Sequence, residues 1–401
     1  PFNVSVTVTA SNLENIPDLS DVALIVKILE GLGSIVSRDK VKRTISLDNR
    51  HLSNKILTED DLGDMRGVAL LWGGMLGRFS QAEFEVLPGG CALGSRPADA
   101  HFQAFKDLGV TVTESDNGVV LDATQAQASE IWLTEMSPTA TENAIMLAVT
   151  LAGPTKIVGA ASEPSVQDLS NFLNAAGSNI TGIGTNVLVI KGGQKLRSVT
   201  YKILSDHYEI ATYLALAACT GNGVKIHAAM PSYFKTINRE FAKFNLKIDF
   251  AGDTAIVPAG QEVNMGQDIA HTTLVRPQPW PALPVDMLPL FIPLALKSPT
   301  GSAMFHNWMY ESGLFWTSEL LKFGANVTIL DPHRVMTIAG HKLTGAQVVA
   351  PYIIRATVAL IMVAMIAKGS STIINADSLD RGHENLVDNL QKLGAVIERV
   401  D

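Results

Sequence analysis

Six times along this chain an amphipathic helical run ends at a Gly or Asn and passes straight into an apolar, strand-like stretch. The copies are LEGLGSIV, FKDLGVTV, FLNAAGSNI, FAKFNLKI, LLKFGANV and LQKLGAVI, turning at Gly33, Gly109, Gly177, Asn245, Gly324 and Gly394. Successive turns lie 76, 68, 68, 79 and 70 residues apart. The turn residue has a physical task. A helix commonly ends on a residue in the left-handed region, which Gly enters without steric cost and Asn enters next most readily. A period of about 70 residues is too long for a solenoid, so each unit has room for several strands and more than one helix. Strand-like segments at 110–112, 187–190, 255–257 and 335–338 follow the same grammar. Three units fill a domain of ordinary size and six fill two. The sequence therefore predicts a pair of pseudo-threefold α/β domains, residues 1–200 and 201–401, with the boundary near Leu196–Ser205. No GxGxxG follows a strand and opens a helix, so a doubly wound dinucleotide fold has no support.

Composition narrows the function. Hydrophobic residues make up 47% of the 401 and charged residues 17%, which suits sizeable cores and excludes a disordered chain. Aromatics are only 6%, so Leu, Ile, Val and Ala must build those cores. A net charge of -8 argues against a broad nucleic-acid footprint while leaving room for a local cationic pocket. Cys91 and Cys219 are the only cysteines, too few for a disulfide scaffold, and a reducing cytoplasm is expected. The longest apolar run, Ala356–Ala367, is closed off by Arg355 and Lys368 and is too short to span a bilayer. No signal peptide opens the chain. The nine His residues show no metal-ligand spacing, so neither a metal nor another cofactor is expected.

The most distinctive local feature is PGGCALGSRPADAH, residues 88–101. Three glycines around Cys91 make a loop suited to close approach to a ligand. Arg96 offers a phosphate two parallel hydrogen bonds and favours a thiolate at Cys91. A buried structural cysteine is the alternative, against which the Gly, Pro and polar neighbours speak. Cys219, inside LALAACTG, reads as core. In LPVDMLPLF, Asp286 is an isolated carboxylate among apolar residues. Two roles are open to it: a desolvated general base, or a helix N-cap. Arg355 opens an apolar helical segment and Arg381 precedes the last amphipathic helix, positions where the helix dipole disfavours a cation unless an anion joins it. A surface ion pair, such as Asp380 with Arg381, is the plainer reading, and Arg66 carries the same ambiguity. His333 and Arg334 read as turn residues.

Taken with NIPDLSDV, SPTATENAIMLAVTLAG, EPSVQDLSNFLNAAG, LPVDM, YIIRATVALIMVA and SLDRGHENLVDNLQKLGA, the Cys91 loop resembles the UDP-N-acetylglucosamine 1-carboxyvinyltransferase family, over nearly the whole chain. The resemblance implies a two-domain inside-out α/β barrel of six similar units. It also implies the first committed step of peptidoglycan synthesis: transfer of the enolpyruvyl group of phosphoenolpyruvate to the 3'-hydroxyl of UDP-N-acetylglucosamine. By the same resemblance Asp286 is the base, and Cys91 is the proton donor that also attaches to phosphoenolpyruvate. Arg96, Arg355 and Arg381 gather around that substrate, Arg66 lines the nucleotide-sugar side, and Arg96, Pro97, Ala98, Asp99, Ala100, Ser137, Pro138 and Met309 hold the UDP moiety. The expected partners are these two small molecules, with no nucleic acid or membrane, and a monomer is expected.

Three departures from the family pattern are visible. The match begins after a Lys-Asn pair that the family carries near its start. Gly313 stands where an arginine is usual, and Ile353 stands where an aspartate commonly precedes the arginine matched by Arg355. His207 occupies a position that is arginine in some members. A nucleotide-sugar-binding homologue that has lost catalysis, or a transferase with another acceptor, are the competing expectations.

Overall fold

All six turn residues adopt positive φ: 104° at Gly33, 84° at Gly109, 108° at Gly177, 61° at Asn245, 80° at Gly324 and 96° at Gly394. Each closes its helix with the same pair of bonds. The turn amide bonds the carbonyl three residues back, and the next amide bonds the carbonyl five residues back, as in Ser34 to Leu29 and Val110 to Phe105, at 2.8 and 2.9 Å. The same longer bond joins Ser178 to Leu173, Leu246 to Phe241, Ala325 to Leu320 and Ala395 to Leu390. The side chain under each bond is buried: Leu29, Phe105, Leu173, Phe241, Leu320 and Leu390. One device thus ends each helix, satisfies its last carbonyls and pins the turn to a core.

The computed structural model describes residues 8–63, 65–87, 98–115, 118–266 and 272–400. It separates into two compact units, one ending at Leu204 and the other beginning at Ser205. Among the described residues there are six sheets, three in each unit. In the first unit Gln81–Phe84, Gly118–Asp122 and Thr111–Ser115 lie antiparallel in that order. The succession is repeated by Ala10–Glu14, Thr44–Asp48 and Ile35–Asp39, and by Gly153–Val158, Val187–Gly192 and Ile180–Thr181. In the second unit Val224–Ile226, Thr254–Val257 and Asp249–Ala251 follow it, as do Ser302–His306, Arg334–Ile338 and Asn326–Asp331. Val199–Lys202 pairs parallel with Ala10–Glu14, so the end of the first unit returns beside its beginning.

Helices cover one face of these sheets and meet each other inside. In the second unit the central helices His207–Thr220, Leu288–Lys297 and Ile354–Ile366 are apolar nearly all round, which is how a helix reads when buried on every side. Cys219 lies in the first of them, fully buried, and its thiol is pushed up to about 12 by desolvation. No helix of the described residues is long and apolar enough to cross a membrane.

Two sequence expectations need correction. The sixth turn is not followed by a strand. Residues after Gly394 are held instead by Gln391 Nε2 donating to the Ile397 carbonyl and by Arg399 pairing with Asp377 and Asp380. Arg334 is not a turn residue but opens the strand Arg334–Ile338, paired with Asp331.

The six stops differ in what surrounds them, and this sets an expected order of mutational cost. At Gly177 an added Cβ meets nothing closer than 3.8 Å, so Gly177→Ala suffers only the left-handed backbone, about 1 kcal/mol. At Gly33 the same atom comes within 2.7 Å of the His51 carbonyl oxygen, a backbone atom that cannot turn away. Gly33→Ala is expected to lose about 2–3 kcal/mol in urea unfolding, and equal losses for the two variants would refute the argument.

Candidate functional site

The first unit gathers its predicted site residues at two helix starts. Ser137 caps Pro138–Ala148, its Oγ accepting from the Ala140 amide at 3.3 Å, with Pro138 preset for the first helical position. Ala98 stands at the cap of Asp99–Asp107, with Ala98 and Ala100 buried and Asp99 exposed. A buried polar chain ties these helices together. Asn143 Nδ2 donates to the Ala69 carbonyl and to His101 Nδ1, both at 2.9 Å, while Asn143 Oδ1 accepts from the Gly73 amide at 2.8 Å. With Nδ1 accepting, the imidazole proton lies on Nε2, 3.1 Å from Thr139 Oγ1. Thr139 Oγ1 is in turn 3.4 Å from Ser137 Oγ. Desolvation, aided by the nearby Arg66 charge, pushes His101 down to about 3 and keeps it neutral. Arg66 opens the 3₁₀ turn Arg66–Leu70. Ala98, Asp99 and Ala100 thus stand at the start of the helix that carries His101, Ser137 is linked to His101 through Thr139, and the Arg66 charge is near enough to act on it. Cys91, Arg96 and Pro97 lie outside the described residues.

The second unit holds a largely buried cation. Arg355, second residue of Ile354–Ile366, has a side chain only 11% exposed. Its Nη1 lies 2.8 Å from His383 Nε2, its guanidinium covers the Tyr208 ring at 5.5 Å, and its nearest ion-pair partner, Asp206, is 3.9 Å from Nη2. Its Nε has no hydrogen-bond partner among the described residues. A largely buried guanidinium is stable only when its charge and its donors are met; here the ion pair is long and Nε is unmet. Arg381 lies two residues before His383, its guanidinium 5.1 Å from the Tyr352 ring centre. His207, in the first turn of the helix that supplies Tyr208, is pushed down to about 4 by desolvation and, against the opposing pull of Asp206, by Arg355.

Asp286 departs from the burial and from the helix cap that its sequence surroundings suggest. It sits in the 3₁₀ turn Val285–Met287, where Met287 points into the core and Asp286 faces outward, so it is exposed rather than desolvated within its unit. Nor is it the helix cap, since Met287 holds that position for Leu288–Lys297 without a side-chain cap bond. Met309 lies on the segment after Ser302–His306, exposed, its amide donating to Asn307 Oδ1 at 3.2 Å. At Gly313 a Cβ would run into the Asn307 side-chain amide, so the loop closes around a residue without one.

Sequence reasoning missed Thr139, Asn143, Asp206, Tyr208 and Glu209, and gave His101 and His383 no separate role. The available signal was a polar residue on an otherwise apolar helix, as with Asn143 in TENAIMLA. Among the described residues no group of three or more His, Cys, Asp or Glu is placed to hold a metal ion.

Comparison with known proteins agrees with this architecture. The profile of the EPSP synthase family (3-phosphoshikimate 1-carboxyvinyltransferase) matches residues 5–390. UDP-N-acetylglucosamine 1-carboxyvinyltransferases from Borrelia garinii subsp. bavariensis and Bacteroides thetaiotaomicron are 36% and 32% identical. Each alignment covers 97% of this chain, with 90% and 91% of the relative. The enolpyruvyl transferase NikO from Streptomyces tendae superimposes with a TM-score of 0.84 at 20% identity, over 98% of this chain and 91% of that one. An EPSP synthase from Acinetobacter baumannii gives 0.73 at 14%, over 100% and 94%, and these two likenesses speak to the fold. The chain belongs to the EPSP synthase family of enolpyruvyl transferases and, within it, to the UDP-N-acetylglucosamine 1-carboxyvinyltransferases.

The buried imidazoles make a pH prediction. His207 in the fold titrates near 4 against an ordinary value of 6.5. The unfolded chain therefore binds a proton that the folded chain refuses as pH falls through that window. Stability is full above pH 6.5 and declines toward pH 4, by up to about 1.4 kcal/mol per pH unit for each such group. His207→Phe, which removes a ring whose Nε2 lacks a partner among the described residues, is expected to flatten that decline by one group's share. Urea unfolding between pH 4.5 and 7.5 measures the slope, and a slope identical to the parent's would refute it.

Proposed function

We propose that this protein transfers the enolpyruvyl group of phosphoenolpyruvate to the 3'-hydroxyl of UDP-N-acetylglucosamine, releasing phosphate, in the cytoplasmic stage of peptidoglycan synthesis. The observation that carries this reading is Arg355, a largely buried guanidinium whose nearest ion-pair carboxylate stands 3.9 Å away and whose Nε has no partner among the described residues. Such a group is made for an anion that arrives from outside. Phosphoenolpyruvate brings a carboxylate and a phosphate, and Arg355, Arg381 and Arg96 hold them as charge shifts in the transition state. The finer architecture goes with this reading: six units, three to a domain, each domain an inside-out barrel with its helices within.

In the reaction Asp286 takes the proton of the 3'-hydroxyl as its oxygen bonds to C2 of phosphoenolpyruvate, while Cys91 delivers a proton to C3. Loss of a C3 proton then restores the double bond and expels phosphate from C2, so atoms and charge balance. Arg66, Arg96, Pro97, Ala98, Asp99, Ala100, Ser137, Pro138 and Met309 bind the nucleotide sugar. The helix starts at Ser137 and Ala98, locked together through His101, supply oriented amides suited to a diphosphate. The exposure of Asp286 within its unit means that its desolvation must come from bound substrate.

Asp286→Asn tests the assignment. The amide keeps the shape and hydrogen-bonding reach of the carboxylate but takes no proton at neutral pH. Phosphate release from phosphoenolpyruvate in the presence of UDP-N-acetylglucosamine is expected to fall about a thousandfold, with nucleotide-sugar affinity nearly unchanged. Parent-like release by the variant would overturn Asp286 as base. Absence of release by the parent would favour a homologue that binds without catalysis, and release dependent on a different sugar acceptor would favour another transferase.

A further inference from the structure

Arg355 does not stand alone in its pocket, and the way it is held assigns a role to two residues outside the catalytic set. We propose that His383, backed by Glu209, is a positioning residue that aims the Arg355 guanidinium at the incoming anion; this rests on the reading of Arg355 as a phosphoenolpyruvate ligand.

The argument begins with donors and acceptors. An arginine only donates, so the 2.8 Å contact between Arg355 Nη1 and His383 Nε2 requires Nε2 to be an acceptor. The ring proton then belongs on Nδ1. His383 is 1% exposed, so bulk water does not choose the tautomer. Nδ1 faces Glu209 Oε1 at 3.9 Å, too far for a hydrogen bond but close enough for the carboxylate to favour a proton on that side. Burial and, against the pull of Glu209, the Arg355 charge lower the imidazole's proton affinity, so the ring stays a neutral acceptor.

Three separate elements converge to make this arrangement. Glu209 comes from the first turn of His207–Thr220, Arg355 from the first turn of Ile354–Ile366, and His383 from the segment after the 3₁₀ turn Ala376–Arg381. Gly382 allows the approach, because a Cβ there would lie 3.0 Å from Ile354 Cγ2 and 3.3 Å from Arg355 Nη1. With one face of the guanidinium over Tyr208 and one amino group tied to His383, its orientation is set before ligand arrives. Ordering a free arginine on binding would otherwise subtract from affinity. A histidine that merely filled space would need neither the acceptor tautomer nor the carboxylate behind it.

The experiment compares the full-length parent with His383→Phe, His383→Gln, Glu209→Ala and Arg355→Ala, measuring KM for each substrate, kcat and thermal unfolding. His383→Phe keeps the ring volume but offers no acceptor, and is expected to raise KM for phosphoenolpyruvate about tenfold or more. KM for UDP-N-acetylglucosamine should stay within about twofold. His383→Gln, whose carbonyl can accept from Arg355, should recover most of the loss. Glu209→Ala, at a side chain 35% exposed and so removable without emptying a core, is expected to raise the same KM about threefold or more. If Arg355→Ala weakens phosphoenolpyruvate while His383→Phe and Glu209→Ala do not, the positioning role is wrong and the site reading stands. If Arg355→Ala leaves phosphoenolpyruvate unaffected, the site reading itself is wrong. Should His383→Phe fail to fold, Glu209→Ala and His383→Gln decide: parent-like constants for Glu209→Ala, or no partial recovery in His383→Gln relative to Arg355→Ala, overturn the proposal.

Discussion

The left-handed helix stop is the constraint on which the rest of this structure hangs. A short sheet of three or four strands cannot bury a face alone, and it needs a helix delivered at a fixed angle and distance. Gly33, Gly109, Gly177, Asn245, Gly324 and Gly394 deliver it six times with positive φ and the same two carbonyl bonds. The buried side chain beneath each stop, Leu or Phe, couples the turn to the core, so local geometry and packing reinforce each other. In five of the sheets the strands then fall into one antiparallel succession, first, third, second.

That scaffold leaves its chemistry at element ends. Ser137, Ala98, Arg66, Arg355 and His207 all lie at or within the first turns of helices or 3₁₀ turns, where unpaired amides and the positive end of the dipole collect. A cation placed there is unfavourable until an anion arrives. Around Arg355 the neighbours His207 and His383 stay neutral, each held down by burial with Arg355 adding to it. Protonating either ring would place a second positive charge in a pocket that already carries one. His101 in the first unit follows the same logic beside Arg66.

The sequence made the turns legible because Gly and Asn report backbone conformation directly, one residue at a time. It made Cys219 legible because an uninterrupted apolar run can only be core. It misled at Asp286, where apolar and proline neighbours suggested burial. A one-turn 3₁₀ segment can send Met287 inward and leave the adjacent carboxylate facing out, and neither period 2 nor period 3.6 describes so short an element. The strand expected after Gly394 failed for a related reason: apolar residues specify a strand only where an edge receives them, and Val396 is fully exposed. Long-range polar partners such as His101 with Asn143, or Arg355 with His383, were illegible because hydrogen bonds between segments distant in sequence leave no spacing in the chain.

The substitutions at Gly313 and Ile353 are best understood through packing and charge together. Asn307 is buried, its Oδ1 accepts the amides of Met309 and Tyr310, and its own amide and carbonyl are engaged by His333. This four-bond clamp fixes the segment carrying Met309, and its side-chain amide occupies the space that any Cβ at residue 313 would need. Arginine at that position and Asn307 in this pose are therefore mutually exclusive. At the other position Ile353 is buried and offers its helix no side-chain cap, where an aspartate would have supplied both a cap and a negative charge. With no acidic cap at residue 353, the polar partners of Arg355 are Asp206 at 3.9 Å and the neutral acceptor His383.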